Sequence, residues 1–302
     1  MAVTLNGQTV PLPRDFAPTL MKNAFESSVV SPLSPSEPLS IGTDTVIPQY
    51  DGGIEAGFVD EGQAKPVSDA AMSFKTLSAR KLAAIVVVSK EAAQVNPTRM
   101  LELIQADMQN AITRAIDLGI LYGKDAKSGA QLSGVEYVDK TTNRVKLGAG
   151  DLVPQILAGY DAAGTKSDPT GFMFDTTMRT KISLATQQDG VIGATGTPQR
   201  MPNLASSNIS SVAGLPASYG RVVSGRVGAN PQTKVRGYVG DWSKLRWGFA
   251  ENITMTSSDQ ATIVDGATTY HLFQQNLKAF LVEAHVGWTI TDTNAFAAYE
   301  VE

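Results

Sequence analysis

A chain of 302 residues with 25 basic and 29 acidic side chains, a net charge of −4 and no cysteine can bury a substantial core and could divide into two domains. The missing cysteines exclude disulfides, thiolate metal sites and a cysteine nucleophile, and the mild acidity argues against a dedicated nucleic-acid binder. No run approaches the ~18 apolar residues of a membrane helix. The polar N-terminus lacks an apolar secretion core, so a cytoplasmic product is expected.

In chain order, residues 1–13 carry Pro11 and Pro13 and read as an extended arm. Phe16, Leu20 and Ala24 recur at helical spacing and predict a short helix within residues 15–30. Pro32, Pro35 and Pro38 then hold the chain extended. Residues 45–89 predict a long two-stranded excursion, with its turn near residues 62–66. Its charges are sorted: Asp51, Glu55, Asp60 and Glu61 lie on the outgoing leg, and Lys65, Lys75, Arg80, Lys81 and Lys90 on the returning one. Legs of opposite sign can pair across a hairpin. A hairpin this long and polar is nevertheless marginal alone, and it becomes sensible when it lies on a neighbouring copy of the same chain. That is the first indication of an assembly protein.

Asn96-Pro97 is a helix start, with Asn as cap and Pro at the first helical position. Met100, Ile104, Met108, Ile112, Ile116 and Ile120 then recur every four residues until Gly123, predicting a helix of roughly 25 residues, about 37 Å long. Residues 129–150 read as a loop with short strands, including 134–138. Residues 151–163 read as a helix whose Leu152, Ile156, Leu157 and Tyr160 share a face. Phe172, Met173 and Phe174 form a short buried strand, residues 176–185 a further helix, and residues 186–220 surface loops. Strands are expected at 235–239, 244–249, 253–256 and 296–301. One more covers 276–290, where Phe280, Val282, Ala284, Val286, Trp288 and Ile290 alternate with Leu281, Glu283, His285 and Gly287.

Catalytic motifs are absent. There is no phosphate-binding loop, no Gly-x-Gly-x-x-Gly and no Gly-x-Ser-x-Gly elbow. His271 and His285, the two histidines, lack companion spacing for zinc and read as structural or surface residues. Asp60-Glu61 reads as a solvated pair rather than an acid–base couple. Trp242, Trp247 and Trp288 read as core. From the residues alone the fold class is α+β, with a long helix and a projecting hairpin, and no cofactor is implied.

The order of short motifs resembles the major capsid proteins of tailed bacteriophages, the Hong Kong 97 (HK-97) type fold. The matching pieces are Glu26-Ser27-Ser28-Val29-Val30, Val46-Ile47-Pro48, Glu61-Gly62, Lys65-Pro66 with Ser68-Asp69, and Phe74. Lys81-Leu82-Ala83, Val88-Ser89-Lys90-Glu91, the long helix and Leu121-Tyr122-Gly123 follow. Later come Gly214-Leu215-Pro216, Gly240-Asp241-Trp242, Phe273-Gln274-Gln275-Asn276 and Asn294-Ala295-Phe296. Each is weak alone, but their shared order is specific.

The resemblance implies an N-arm (1–44), an extended loop or E-loop (45–85) and a peripheral domain (86–146) with a spine helix at 97–122. It further implies an axial domain (147–249), then peripheral-domain strands and a C-terminal segment (250–302). It implies an icosahedral shell of hexamers and pentamers in the virion, assembled in the bacterial host cytoplasm around double-stranded DNA held without sequence specificity. A portal protein, a decoration protein and a separate scaffolding protein are the implied partners, the last because the resemblance begins by about residue 10; no membrane is involved. E-loop interface residues would be Asp60, Glu61, Lys65, Lys75, Arg80 and Lys81.

Certain members join subunits through a lysine–asparagine isopeptide bond assisted by a glutamate. Aligned on these motifs, Lys65, Asn276 and Glu283 take those roles. Seven residues along a straight strand span about 23 Å and point to opposite faces, so the bond would need the three groups from different subunits, or a break in the strand. The same lysine can instead be an interface charge. Two other readings remain open at this point: an encapsulin-like nanocompartment shell and a soluble α+β enzyme.

Overall fold

The four-residue period in 97–122 and the alternation in 277–290 create two apolar surfaces that need each other, and the structure is built on their contact. The structure, a computed structural model, describes residues 28–39, 45–50, 56–59, 65, 67, 72–91, 97–148, 152–165, 167–184, 186–187, 199–200 and 210–301. The expected arm and helix before residue 28, Asn96, and the acidic residues Asp51, Glu55, Asp60 and Glu61 lie outside these.

Strands β1 (Thr45–Tyr50), β2 (Met72–Leu77) and β3 (Arg80–Ser89) lead to the long helix α1 (Pro97–Tyr122). Strand β4 (Arg144–Leu147), helix α2 (Leu152–Gly164), β5 (Gly171–Phe174) and helix α3 (Met178–Leu184) follow. Next come β6 (Thr186–Gln187), β7 (Gln199–Arg200), β8 (Ser211–Val212), β9 (Leu215–Tyr219) and β10 (Val235–Gly240). The chain closes with β11 (Leu245–Ser258), β12 (Thr262–Asp265), β13 (Thr268–His271), β14 (Leu277–Ile290) and β15 (Phe296–Val301).

Helix α1 buries Met108, Ile112, Ile116 and Ile120, as the spacing predicts. It stops where Gly123 turns left-handed and donates its N–H to the Gly119 carbonyl. Its apolar face packs on a three-stranded sheet ordered β11-β14-β3, whose central strand contributes Phe280, Val282, Ala284, Val286 and Ile290.

A six-stranded sheet, ordered β4-β15-β10-β5-β9-β8, stands beside it. Met173, Tyr238, Phe296 and Ala298 face the core shared with α1, while Phe172, Phe174, Val239 and Tyr299 face a second core under α2 and α3. A sheet covered on both faces needs continuous apolar strands, which is why Phe172-Met173-Phe174 shows no alternation. The C-terminal strand β15 lies inside this sheet, between β4 and β10.

The segment preceding the strands is pinned from two sides. Asp117, buried on α1, accepts from the Ser28 hydroxyl at 2.6 Å and the Val29 N–H at 2.9 Å. Farther on, Glu37 N–H donates to Trp247 O at 2.8 Å and Leu39 N–H to Phe249 O at 3.0 Å, so this stretch runs along β11.

Several expectations are corrected. Residues 28–30, expected to end a helix, and 31–34, expected to be extended, form bends and turns, the Ser28 and Val29 donors going to Asp117. Residues 134–137 are not a strand. The two strands expected at 244–249 and 253–256 are the single strand β11, whose register against β14 shifts on either side of Glu251. Residues 215–219, expected as loop, form β9 and pair in parallel with β5. In α2 the buried residues are Val153, Ile156, Gly159 and Ala163, and Leu157 is exposed. The helix turns Gly159 toward Tyr299, where a Cβ would stand 2.4 Å from the ring.

Candidate functional site

The excursion expected over residues 45–89 separates into two parts with different physics. Its first part is a ribbon in which β1 and β2 pair antiparallel, Thr45 opposite Leu77 through Tyr50 opposite Met72. Its second part, β3, leaves the ribbon and pairs with β14 in regular register, Leu277 opposite Ser89 through Val286 opposite Arg80. Leu77, buried beside Gly287, anchors the ribbon at that junction.

Period-two alternation sorts the ribbon's side chains. Val46, Pro48, Met72, Phe74 and Thr76 share one face, since directly opposed residues point the same way. Val46 is 55% exposed, Met72 60% and Phe74 66%, and Phe58 and Val67 farther along are almost wholly exposed. Isolated apolar residues on a surface are ordinary, but a contiguous apolar face marks an interaction surface. The sequence held this signal in the alternation of Val46/Pro48 and Met72/Phe74.

Those charges do not do what the sequence suggested. Lys81 reaches Glu283 across β3 and β14 at 2.5 Å, Lys90 reaches Asp259 at 3.1 Å, and Arg80 donates to the Ser133 carbonyl. Three of the five returning-leg cations therefore serve the body of their own chain. Lys65 is exposed and Lys75 half-buried on the ribbon's other face, and neither forms an ion pair with a described residue.

The residues aligned with a cross-link are separated within one copy. Asn276 immediately precedes β14 in a left-handed turn, φ 53°, which asparagine tolerates better than most residues. Its side-chain N–H donates to Glu91 at 3.0 Å, and its carbonyl accepts from Lys90 N–H at 2.9 Å. Glu283 is held by Lys81 farther along the strand. No hydrogen bond or ion pair joins Lys65 to Asn276 or Glu283. His271 meets Thr262 across the β12–β13 hairpin at 3.3 Å, and His285 lies half-buried within β14. No described helix is long and apolar enough to cross a membrane.

The described residues leave the apolar face of the ribbon uncovered. Comparisons with known proteins show the class of protein to which this chain belongs. The phage capsid family profile matches residues 8–301. The chain is 27% identical over 295 residues to the "Probable major capsid protein gp17" of Mycobacterium phage D29, covering 91% of this chain and 85% of that one. It is 23% identical to the "Major capsid protein" of Staphylococcus phage 80alpha, over 95% and 83% of the two chains. A solved structure from Gordonia phage Cozz superposes with a TM-score of 0.73 at 26% identity, covering 99% of this chain and 90% of that one.

This chain belongs to the phage capsid family and is a major capsid protein, a structural and non-enzymatic component of the phage virion whose copies assemble into the shell. The encapsulin-like and soluble-enzyme readings are thereby set aside.

Proposed function

We propose that the β1–β2 ribbon is the core of an E-loop (residues 45–85) that lies on an adjacent subunit within hexamers and pentamers. In this reading α1 is the spine helix of a peripheral domain over residues 86–146, completed by strands from 250–302. Residues 147–249 supply most of an axial domain that gathers at the symmetry axes, and residues 1–44 are an N-arm. The shell encloses double-stranded DNA, is built with a separate scaffolding protein, carries a portal and offers its exterior to a decoration protein. Residues 1–27 and 40–44 of the N-arm, and residues 60–64 and 66 at the tip of the loop, lie outside the described residues.

The observation that carries this reading is the exposed apolar face of Val46, Met72 and Phe74. A two-stranded ribbon has little stability of its own, and burying a side chain such as Phe74 contributes about 1.5–3 kcal/mol. Covering that face on a neighbour stabilises both the ribbon and the contact. Phe74→Asp removes this gain and places a charge in a desolvated contact. The expected result is folded subunits with an assembled fraction lower by at least about tenfold, read by light scattering and electron microscopy. Normal particle yield from this variant would sink the proposal.

Covalent joining is a separate element of the proposal. Lys65 of one subunit would attack the Asn276 carboxamide of a second with help from Glu283 of a third, releasing ammonia. The lysine must be deprotonated to attack, which burial in the assembled shell promotes. A denaturing gel of mature particles, boiled in detergent with urea, is expected to show a ladder that Lys65→Arg collapses to one band. A single band from wild-type particles means a shell held by contacts alone, with Lys65 an interface charge.

A further inference from the structure

Among the described residues, three arginines from different parts of the chain converge on one cavity of about 390 Å³ between α1 and residues 219–228. Arg114 enters from α1, Arg221 from the turn after β9, and Arg226 from the loop beyond it. Arg114 holds Asp107 only at 3.8 Å, and Asp107 is itself largely exposed. Neither Arg221 nor Arg226 has a carboxylate partner among the described residues. Tyr219, on the same wall, buries a hydroxyl that finds no hydrogen-bond partner among them. Asp117 also lines the cavity, but its oxygens are committed to Ser28 and Val29. Among the described residues the cavity thus gathers three guanidinium groups around a single carboxylate that is already engaged, in a chain whose net charge is −4.

We infer that this cavity receives carboxylates from the acidic leg of a second copy's E-loop, with Asp60 and Glu61 the principal occupants. The inference rests on residues 45–85 being an interfacial loop, and it names where that loop docks. Charge complementarity carries it. The leg holds Asp51, Glu55, Asp60 and Glu61 without a single Lys or Arg. Three of the five cations expected to pair with it across the hairpin are engaged elsewhere: Lys81 with Glu283, Lys90 with Asp259, and Arg80 with the Ser133 carbonyl.

Guanidinium groups grip carboxylates in paired, directional hydrogen bonds, and a recessed site screens the attraction less than open surface does. Duplex DNA is the poorer match. It presents its charge along a rod, one per about 1.7 Å, and needs a broad basic surface, whereas a cavity of this size admits a few side chains.

A charge swap tests it. Arg221→Glu with Arg226→Glu in one subunit type should leave the subunit folded by circular dichroism and lower particle yield on a sucrose gradient by at least about tenfold, because like charges then face each other. Asp60→Arg with Glu61→Arg should do the same. All four substitutions in one chain should restore yield to within about threefold of wild type, since the attraction is re-formed with its sign exchanged. A fourfold variant no better than either double variant overturns the inference, as does normal assembly by the Arg221/Arg226 variant. Shells of that variant that form at normal yield but fail to retain DNA would assign the cavity to phosphate and equally overturn it. Failure of the interfacial-loop reading is distinguishable: it would show as normal assembly by Phe74→Asp, whereas failure of the docking site alone leaves Phe74→Asp defective and the charge reversals silent.

Discussion

Alanine at position 248 is expected to destabilise the subunit by about 3 kcal/mol or more, the larger of two stability effects that the structure implies. Gly248 lies in β11 where the segment running from Ser34 to Leu39 crosses it. A Cβ there would stand 1.6 Å from the Glu37 carbonyl oxygen and 2.8 Å from its carbon. Both are backbone atoms, so no side chain can rotate away. Moving the segment would break the Glu37 and Leu39 hydrogen bonds to Trp247 and Phe249, and would disturb the Trp247 indole N–H bond to the Ser34 carbonyl, 2.8 Å.

Urea titration of unassembled subunits should show a markedly lower midpoint for Gly248→Ala, with loss of particles in parallel. A midpoint equal to wild type would show that the crossing is not tight.

The second large effect belongs to Asp117. Burial pushes its carboxyl up to about 6 from an ordinary 3.8, against the opposing pull of hydrogen bonds from Ser28, Val29 and Val30. A folded-state value above the unfolded one means that the folded subunit binds the proton more tightly. The associated stability is fully present below about pH 3.8 and is lost as pH rises through about 6. Its full span is on the order of 3 kcal/mol.

Unassembled subunits are therefore expected to gain a component of thermal stability on going from pH 7.5 to pH 5, opposite to the trend set by an ion-paired carboxylate. Asp117→Asn cannot titrate and should remove that component. Asp117→Ala leaves the Ser28 and Val29 donors buried without an acceptor and should cost about 2–4 kcal/mol at neutral pH. Identical pH slopes in wild type and Asp117→Asn would refute the assignment. Because Ser28 to Val30 are the point where the N-terminal segment meets α1, loss of this contact should also release that segment from the helix, visible as faster proteolysis near residue 28.

How far the sequence could be read follows from the range of the interactions involved. Helix α1 was legible because its period of four is local: Met108, Ile112, Ile116 and Ile120 declare a face without reference to anything else. Strand β14 was legible for the same reason at period two, and Phe172 to Phe174 read as buried because the run is continuously apolar. Partnership was not legible. Alternation says which side chains share a face, but it does not say which strand lies alongside, so the pattern alone puts β3 in the hairpin although it pairs with β14.

The hairpin of β12 and β13 was missed because its short strands are mostly exposed and carry no apolar pattern. The buried face of α2 is hidden in the sequence because Gly159 is silent in any hydrophobic pattern, and its role is visible only with Tyr299 against it.

By itself, the sequence determined the α+β class, the long helix, a projecting ribbon and, through the order of its motifs, the capsid resemblance. These depend on local periodicity and on short segments whose chemistry travels with them. Only the tertiary structure decided that Lys81 and Lys90 spend their charge on Glu283 and Asp259, that the ribbon's apolar face is left exposed, and that Arg114, Arg221 and Arg226 meet at one cavity. Each of these joins residues far apart in the chain, and what a charge or an apolar side chain does depends on the neighbour that folding brings to it.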